Sequence, residues 1–569
     1  MASLLAQSVE KIRKREFTVA APSVPDAEYA LWIEQNEPRE GELAEQRRAA
    51  KEFPHRPLIS IITPVWNPPP TLLEETIRSV IAQTYDNWEL CLTDAGSNVE
   101  VREVIRKFAD KEKRLSVQLL DSNLGISRNS NAAIEHCKGE YVALLDHDDT
   151  IAPNALFEVA ASLNKRPEAD LVYSDRDHMT LEGKRIDPLF KPDWSPDLML
   201  CTNYVVQLCV IRSTLLRELG GFRSETDGAQ DWDLILRLAE RTDKVFHIPK
   251  ILYHWRQSPS SVSFASIRTK PYAKQAQLLA LTDYLARNQL HGTAHHQVSG
   301  YPRIEWQVNP STLVSIVIFA QQSDDETLRR SVTSVLNRSS YSNFEIVIVH
   351  DRNRSVENHL PKDTKIRVVT STDSLEYGSA YNLGAAEVNG EVLVFLDERV
   401  EVSSSDWLQE LIGWSIQPRI GVVGPQLISG EGVIIHGGVV FGLPGYLFQG
   451  ARLGLRSPLG NTEWYRNCSA VSKYCLAVRR TLFREIGSFN ESHGAMAGVE
   501  LCLSARRMGY QIVHTPRAKL MLRDAEETIS DGISIFRNSQ QLVVGEDPYF
   551  NPNLSYDYTV PTLKLDHKS

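Results

Sequence analysis

Three carboxylates stand directly after an apolar segment in the first third of the chain. Residues 141–145 are predicted to form a strand, and Asp146, Asp148 and Asp149 follow it immediately. Because clustered carboxylates repel one another, they cost stability unless a cation neutralises them. Hard oxygen ligands with no cysteine nearby favour Mg²⁺ or Mn²⁺ over zinc. The cluster therefore predicts a divalent metal site. The alternative is that Asp148 or Asp149 only caps the helix expected near Pro153, although a cap needs just one carboxylate.

A second acidic pair lies farther along, at the start of an amphipathic segment. Asp231 and Asp233 follow a loop that contains Gly228, and apolar residues continue after them at helical spacing. A carboxylate fixed where a loop enters a helix is well placed to act as a general base. The alternative is structural: Asp231 is then the helix N-cap, and Asp233 complements the helix dipole.

Polar residues also follow the two earliest predicted strands. Pro64 and Asn67 come at the end of the strand that begins at 58, and Asp94 follows the strand at 88–92. Both groups lie where a nucleotide could bind at the edge of a sheet, although Asn and Asp could equally serve local backbone hydrogen bonds in turns. No Gly-rich phosphate loop follows the first strand, which argues against a Rossmann dehydrogenase or a P-loop nucleotide hydrolase.

A histidine and an arginine, His254 and Arg256, stand close together after the second acidic pair. An imidazole and a guanidinium in this arrangement could contact a metal-bound diphosphate. A histidine that follows a strand is more often structural, so both interpretations of His254 stay open.

The elements that carry these residues alternate between strand and helix. The strand at 58–63 is apolar and β-branched, apolar residues at helical spacing follow up to residue 81, and the strand at 88–92 comes next. This alternation predicts an open, mainly parallel α/β sheet. Ligands bind to such sheets beyond the carboxyl ends of the strands, which is where the polar residues above are expected to lie.

The same order of features begins again after residue 312. Asn131 precedes Asp146 by the same number of residues as Asn382 precedes Asp397. A long internal repeat accounts for this recurrence, so the chain is predicted to hold two copies of one α/β domain. The predicted organisation is an N-terminal helical segment at 1–56, a first domain at 57–300, a linker at 301–312, a second domain at 313–540 and a C-terminal tail at 541–569.

Composition excludes several classes of protein. The net charge of −10 leaves no broad basic surface for nucleic acid. Seven scattered cysteines without a CxxC pair argue against a disulfide framework and favour a reducing compartment. The N-terminus does not resemble a secretory signal, and no stretch approaches the roughly 18–20 apolar residues that span a bilayer. The sequence predicts a cytoplasmic protein, whose contact with a membrane, if any, is peripheral and at its inner face.

The ordered set of motifs resembles the family 2 glycosyltransferases, which are inverting enzymes with the GT-A fold. The match extends to their multi-domain bacterial members linked to O-antigen and other surface polysaccharides, because segments near residue 32 and at 547–555 also look like this subgroup. The motifs that carry the resemblance are the first-strand motif at 62–67, a DDGS-like motif at 93–97 with Ala95 in place of the second Asp, the DxD-like Asp146-His147-Asp148, Gln230-Asp231 where the family has Glu-Asp, and the segment 253–256.

The resemblance implies two tandem GT-A-like, Rossmann-like domains and the transfer of a sugar from a nucleotide-diphosphate donor to a glycan acceptor, lipid-linked or protein-linked. It implies that Asp231 is the general base and that Asp146 and Asp148 hold Mg²⁺ or Mn²⁺. The candidate contacts to the nucleotide sugar are Pro64, Asn67, Asp94, Arg128, Asp146, His254 and Arg256.

The second copy of the domain lacks most of these residues. Arg399 stands at the position of Asp148, Gly498 stands at the position of Asp231, and Asp351 is the donor-site residue expected to persist. A cation in place of a metal ligand opposes a divalent ion at close range. We therefore expect a degenerate second domain. The alternatives are a bifunctional polymerase with two active domains and a non-catalytic scaffold that binds glycans or nucleotide sugars.

Overall fold

The computed structural model describes residues 23–257, 271–321, 324–351, 356–523 and 547–566. The helices and strands up to the end of the first domain are α1 (Asp26–Asn36), α2 (Glu40–Ala49), β1 (Ile59–Val65), α3 (Pro70–Ile81), β2 (Trp88–Asp94), α4 (Val99–Ala109), β3 (Leu115–Leu119), α5 (Ile126–His136), β4 (Tyr141–Leu144), β5 (Thr150–Ile151), α6 (Ala155–Lys165), β6 (Leu171–Met179), β7 (Arg185–Leu189), β8 (Cys209–Arg212), α7 (Ser213–Glu218), α8 (Gln230–Ala239), β9 (Val245–Arg256) and α9 (Pro271–Arg287).

The later elements repeat this series after a short hairpin. They are β10 (Gly292–His296), β11 (Pro302–Trp306), β12 (Val314–Phe319), α10 (Asp325–Arg338), β13 (Phe344–Asp351), β14 (Ile366–Ser371), α11 (Tyr377–Ala386), β15 (Val392–Asp397), β16 (Val400–Val402), α12 (Trp407–Ser415), β17 (Ile420–Ile428), β18 (Ile434–His436), β19 (Arg456–Ser457), β20 (Gly460–Asn461), β21 (Arg466–Asn467), β22 (Cys475–Arg479), α13 (Arg480–Glu485), α14 (Ala497–Arg507) and β23 (Gln511–Leu522).

The first sheet has the strand order β3-β2-β1-β4-β8-β6-β9-β5, and β7 pairs with β6 beside it. Strands β3, β2, β1 and β4 are parallel, whereas β8 runs antiparallel to both β4 and β6. Along β1, Ile61 and Ile62 belong to different apolar clusters on the two faces of the sheet. Burial on both faces explains why this strand is a continuous apolar run in the sequence.

The second sheet has the order β14-β13-β12-β15-β22-β17-β23-β16, which matches the first sheet strand by strand. Its parallel part is β14, β13, β12 and β15, and β22 is again the antiparallel strand next to it. The predicted fold, two tandem α/β domains preceded by a helical segment, is therefore confirmed.

The segment that joins the two domains is part of their packed core. The predicted linker at 301–312 contains β11, which pairs with β10 in an antiparallel hairpin. Trp306 at the end of β11 packs edge-on against Trp414 of α12, with ring centroids 5.2 Å apart. One apolar cluster runs from α8 and α9 through this hairpin into the second sheet. The bounds proposed for the domains stay a prediction.

The N-terminal helix and the C-terminal segment pack together on both domains. Trp32 of α1 lies against Phe190 of the first domain, with ring centroids 5.0 Å apart. The same apolar cluster contains Leu447 of the second domain and Phe550 and Leu554 of the C-terminal segment. None of the helices within the described residues combines the length and the apolar character that crossing a bilayer requires.

Candidate functional site

Asp146 emerges at the carboxyl edge of the first sheet, where β4 ends. The pairing of β4 with β1 reaches Ile62, and the backbone N–H of Leu145 continues it by donating to the carbonyl of Ile62 at 3.2 Å. One carboxylate oxygen of Asp146 accepts a hydrogen bond from Gln207 Nε2 at 3.0 Å. Burial, together with the charge of Asp148, raises the pKa of Asp146 to about 6. Asp146 is half-buried, and its partial loss of solvent makes it a carboxylate that a nearby cation would stabilise.

His147 and Asp149 fix the loop that carries Asp146. His147 Nδ1 lies 2.9 Å from the carbonyl oxygen of Pro64, which ties this loop to the end of β1. Asp149 is buried and accepts hydrogen bonds from the Tyr253 hydroxyl at 2.6 Å and from the backbone N–H of Arg256 at 2.7 Å. Asp149 therefore anchors the loop to β9.

The helix-capping alternative for the acidic cluster is wrong. Helix α6 has Asn154 as its N-cap, and no side chain caps it. Because Asp149 is occupied by its contacts with β9, Asp146 and Asp148 are the carboxylates of the cluster that remain for a ligand.

Asp231 lies in the first turn of α8, behind the N-cap residue Ala229, so the prediction that Asp231 is itself the N-cap is wrong. Burial raises the pKa of Asp231, although the carboxylate accepts a hydrogen bond from the backbone N–H of Trp232 at 2.8 Å. The charge of Asp231 also contributes to the raised pKa of Asp146. The structure therefore brings the predicted base and a predicted metal ligand into one desolvated region.

Asp233, which follows Asp231 by two residues in α8, has a structural role. Its carboxylate is fully buried and pairs with Arg237 at 2.7 Å and with Arg223 at 3.2 Å. The indole N–H of Trp232 donates to the carbonyl of Met199 at 2.9 Å. These contacts hold the start of α8 in place, and with it Asp231.

The residues predicted to bind the nucleoside lie at the same sheet edge, where Val65 pairs with Asp94. Asn67 is exposed and has a φ of 46°; its amide oxygen accepts a hydrogen bond from the backbone N–H of Asn98 at 2.8 Å. Asp94 is buried, and its two oxygens accept hydrogen bonds from the backbone N–H of Ser97 and from Arg102 Nε, both at 3.0 Å. The turn interpretation describes these contacts, and the contact of Asn67, Asp94 and the half-buried Pro64 with a donor stays a prediction.

The three basic candidates differ in their surroundings. Arg128, near the start of α5, is exposed, and its guanidinium makes no hydrogen bond or ion pair with another described residue. His254 is buried with Nδ1 at 2.8 Å from Asp177, as its structural interpretation requires. Arg256 is also buried; it donates to the carbonyl of Asp148 at 2.7 Å and pairs with Glu75 at 2.6 Å. Arg128 is thus the candidate left open to a phosphate, whereas Arg256 holds the Asp148 loop.

The donor set at Asp146 fits a hard divalent cation. Within the described part of the chain, the one trio of ligand-type side chains whose atoms all lie within 4.8 Å is Glu89, Cys91 and Cys137, which does not include Asp146. The candidate site therefore offers two carboxylates, Asp146 and Asp148, and leaves the remaining coordination positions to a ligand or water. Such partial protein ligation is usual for Mg²⁺ at phosphate-binding sites.

The second domain contains an ion pair at the corresponding place. Arg399 donates to both oxygens of Asp397, at 2.9 and 3.0 Å. Lys473 lies close enough for the charge of Asp397 to act on it, although burial lowers the pKa of this lysine overall. Gly498, in the first turn of α14, supplies no carboxylate where α8 has Asp231. Asp397 thus already has a cationic partner from the protein.

The expectation that Asp351 persists at the donor site needs correction. Phe344 stands opposite Val314 in the second sheet, as Trp88 stands opposite Ile59 in the first. Counting along β13 from that pair, His350 occupies the position that Asp94 has in β2. The same count can be made in the sequence, where the segment that begins at Trp88 matches the one that begins at Phe344.

Sequence reasoning missed two residues that support the site. Tyr253 donates to Asp149, and its hydroxyl also accepts a hydrogen bond from the backbone N–H of Asp146 at 3.3 Å. The sequence did contain a signal for Tyr253, which stands directly before His254 in the motif at 253–256. Gln207 lies in an irregular loop distant from Asp146 in sequence, so no pattern pointed to it.

Comparison with known proteins places these domains in context. The sequence matches the family model described as "Glycosyl transferase family 2" at residues 60–217 and 315–487, one match in each domain. It is 37% identical to "Uncharacterized protein y4gI" of Sinorhizobium fredii over 92% of this chain and 60% of that protein. It is 33% identical to "O-antigen biosynthesis protein RfbC" of Myxococcus xanthus over 97% of this chain and 45% of that protein.

Among solved structures, S. aureus TarS in complex with UDP-GlcNAc is similar at 18% identity and a TM-score of 0.33, covering 40% of this chain and 72% of that one. The chain spans about half the length of the two curated relatives.

Proposed function

The chain belongs to glycosyl transferase family 2, and from that premise we propose that its first domain transfers a sugar from a nucleotide-diphosphate donor to a hydroxyl of a glycan acceptor, with inversion at the anomeric carbon. The observation that carries the proposal is the convergence of Asp146 and Asp231 in one desolvated region, beside Asp148. Burial and mutual repulsion raise the pKa of Asp146 there. Perturbed carboxylates at the carboxyl edge of an α/β sheet are characteristic of a functional site.

Asp146 and Asp148 are the residues that would hold Mg²⁺ or Mn²⁺. The fit rests on their chemistry, since two carboxylates in a poorly solvated loop gain most from a cation that neutralises them. A bound metal would supply stabilisation of the negative charge that develops on the departing diphosphate. The loop is prepared for this role by Tyr253, Arg256 and His147, which hold its backbone and its neighbouring side chains.

Asp231 is the proposed general base. Its carboxylate takes the proton from the acceptor hydroxyl while the hydroxyl oxygen forms a bond to the anomeric carbon and the bond from that carbon to the diphosphate breaks. Because burial raises the pKa of Asp231, its carboxylate is a stronger base than an exposed aspartate. Anchoring of α8 through Asp233 and Trp232 limits the movement of this base and so favours a productive geometry.

Donor and acceptor are proposed only as classes. Arg128 is the best-placed open cation for a donor phosphate, and Pro64, Asn67 and Asp94 are proposed for the nucleoside. The name of the Myxococcus xanthus relative supports an acceptor that is a growing surface polysaccharide. All seven cysteines are buried free thiols, which supports a reducing compartment such as the cytoplasm.

The second domain is proposed to be non-catalytic. Support comes from the ion pair between Asp397 and Arg399, because a protein cation that already neutralises the carboxylate removes the reason for a metal to bind. Gly498 also leaves this domain without a general base at the start of α14. These two features weigh against the bifunctional polymerase.

A thermal-shift panel with Mn²⁺ and UDP, GDP or ADP tests the proposal. A nucleotide that binds the folded protein at 100 times its Kd stabilises it by about 2.7 kcal/mol. We expect one nucleotide to raise the melting temperature, and we expect Asp148→Asn to abolish the shift while Asp397→Asn keeps it. An equal shift in the Asp148 variant would contradict the assignment of the site. A donor-hydrolysis assay then separates an enzyme from a scaffold that only binds.

A further inference from the structure

A buried series of hydrogen bonds connects the C-terminal segment with Asp146. Its first contact is Gln207, whose side-chain amide donates to Asp146 at 3.0 Å. Gln207 is buried and lies in the loop before β8, without regular secondary structure of its own. The orientation of this amide therefore depends on what holds the backbone of the loop.

Lys191 holds that backbone. Its ammonium group is fully buried and donates to the carbonyl oxygens of Val205 at 3.0 Å, Val206 at 3.4 Å and Gln207 at 2.8 Å. Three carbonyls are as many acceptors as the three N–H donors of an ammonium can use. A buried lysine is expensive to maintain, so the arrangement fixes three consecutive carbonyls at the cost of desolvating one charge.

Asn551 of the C-terminal segment holds the backbone of Lys191 in turn. Its side-chain amide donates to the carbonyl of Lys191 and to a carboxylate oxygen of Asp175, both at 2.9 Å. The other oxygen of Asp175 accepts the backbone N–H of Lys191 at 2.8 Å. Asn551 is 1% exposed, so its amide is committed to these first-domain groups.

We propose that Asn551 is a positioning residue for the metal site of the first domain, acting through Lys191 and Gln207 on Asp146. The C-terminal segment then completes the active domain, although Asn551 lies 360 residues after Lys191 in sequence. This inference rests on the proposed function, since it concerns the metal site proposed there.

Among the described residues of the second domain, no equivalent of this series is present. Arg479 pairs with Val392 as Arg212 pairs with Tyr141, so Tyr474 occupies the position that Gln207 has in the first domain. The carboxylate of Asp397 is bound by Arg399 instead of a glutamine. The segment contacts both domains, and the hydrogen bonds of the Asn551 amide N–H groups go to the domain that keeps its metal ligands.

Mn²⁺ binding measured by electron paramagnetic resonance tests this inference on the full chain, with Mn²⁺ alone as the probe. Residues that orient metal ligands typically contribute 10–100-fold to metal affinity, so we expect Asn551→Leu to weaken Mn²⁺ binding about tenfold. Tyr549→Phe is the matched control. Tyr549 lies in the same segment, and its hydroxyl donates to Gln511 of the second domain at 3.3 Å, outside the series that leads to Asp146. Its affinity for Mn²⁺ should stay within about twofold of wild type.

A double-mutant cycle distinguishes positioning from general loosening of the fold. If Asn551 acts through Gln207, Asn551→Leu should weaken Mn²⁺ binding no further in a Gln207→Ala background. Melting temperatures recorded in parallel establish that each variant is folded at the temperature of the titration. Asn551→Ser, which removes the amide with a smaller change of volume, replaces Asn551→Leu if the latter does not fold.

Unchanged affinity in a folded Asn551 variant, an equal loss in the Tyr549 control, or full additivity with Gln207→Ala would each overturn the inference and leave the proposed function standing. Wild-type protein whose Mn²⁺ binding is absent, or is insensitive to Asp148→Asn, would overturn the metal site itself and this inference with it.

Discussion

The two domains share a scaffold down to individual contacts at the foot of the sheet. In the first domain the Ser60 hydroxyl donates to Glu89 at 2.5 Å and accepts the backbone N–H of Gly139 at 2.8 Å. In the second domain, Ser315 makes the same two contacts, with Glu345 at 2.7 Å and with Gly390 at 2.9 Å. A Cβ atom on either glycine would lie 2.5 Å or less from the serine oxygen. The requirement for glycine thus persists in both copies.

The carboxyl edges of the two sheets have diverged instead. Asp146 faces Gln207 beside Asp148, whereas Asp397 is bound by Arg399. Different residues therefore pack the strands and carry out the chemistry. Loop residues at the edge can change without disturbing the sheet, so the fold outlasts the activity.

The largest expected effect concerns the general base. Replacing Asp231 with Asn removes the proton acceptor but keeps the shape of the side chain, and we expect kcat to fall about 10³-fold. The matched second-domain variant is Glu500→Gln, since Glu500 lies in the first turn of α14 and contacts nearby residues, His493 at 2.5 Å and Asn490 at 3.4 Å. Its kcat should stay near wild type. Full turnover by the Asp231 variant would contradict the assignment of the general base to the first domain.

A smaller effect concerns the pH dependence of stability, which should differ between the two domains. His247 in β9 and His514 in β23 occupy the same place, two residues before a proline. Burial lowers the pKa of His514 well below its usual value, and nearby His436 adds to the effect. Burial also acts to lower the pKa of His247, but Asp175 and Asp193 outweigh it and raise the pKa overall.

The two histidines should therefore contribute to stability in opposite pH ranges. The contribution of His514 is present above the unfolded pKa of about 6.5 and is lost on acidification, because the unfolded chain then takes up a proton that the buried imidazole does not. The contribution of His247 is present below about 6.5 and is lost as pH rises through its raised pKa. Urea unfolding should show that His514→Gln reduces the acid sensitivity, and that His247→Gln costs most below pH 6.5. The same pH profile for both variants would contradict these environments.

The smallest expected effect comes from undoing the ion pair of the second domain. Arg399→Asp places a second carboxylate beside Asp397, so the domain should lose about 1 kcal/mol, since Arg399 is partly exposed and its pair is screened. That corresponds to a fall of about 2–4 °C in melting temperature. Mn²⁺ should restore part of this loss in the variant and leave this domain unchanged in the wild type. If the variant binds metal but transfers no sugar, the metal ligands alone are not enough for activity. This is the result we expect, because Gly498 at the position of Asp231 supplies no general base.

Features with a local signature were predictable from the sequence. The apolar run of β1, the recurrence of the whole series after residue 312 and the acidic cluster after β4 led to the tandem α/β fold and to Asp146 and Asp148. Contacts between distant segments were not predictable, because neither partner reveals the other. Gln207 and Asn551 act through such contacts, and the division of labour among Asp146, Asp148 and Asp149 depends on Tyr253 from β9.

For the predicted nucleotide site, the position of the residues was predictable from the sequence, but the contacts of their side chains were not. Asn67 and Asp94 were chosen for their place after strands, and both lie at the expected edge. Their side chains bind the turns around them, which sequence position alone does not reveal. The contact of His254 with Asp177 was not predictable either. It depends on which strand lies beside β9, and the order of strands in the sheet decides that.

The decisive experiment measures sugar transfer with Mn²⁺ for Asp148→Asn and Asp397→Asn side by side, and for the wild type in excess chelator. We expect a loss of about 10²-fold or more in Asp148→Asn and in chelator, and wild-type turnover in Asp397→Asn. Full-speed transfer by the chelated wild type, or loss of a distinct transfer in Asp397→Asn, would contradict the claim that one metal-dependent site in the first domain does the chemistry.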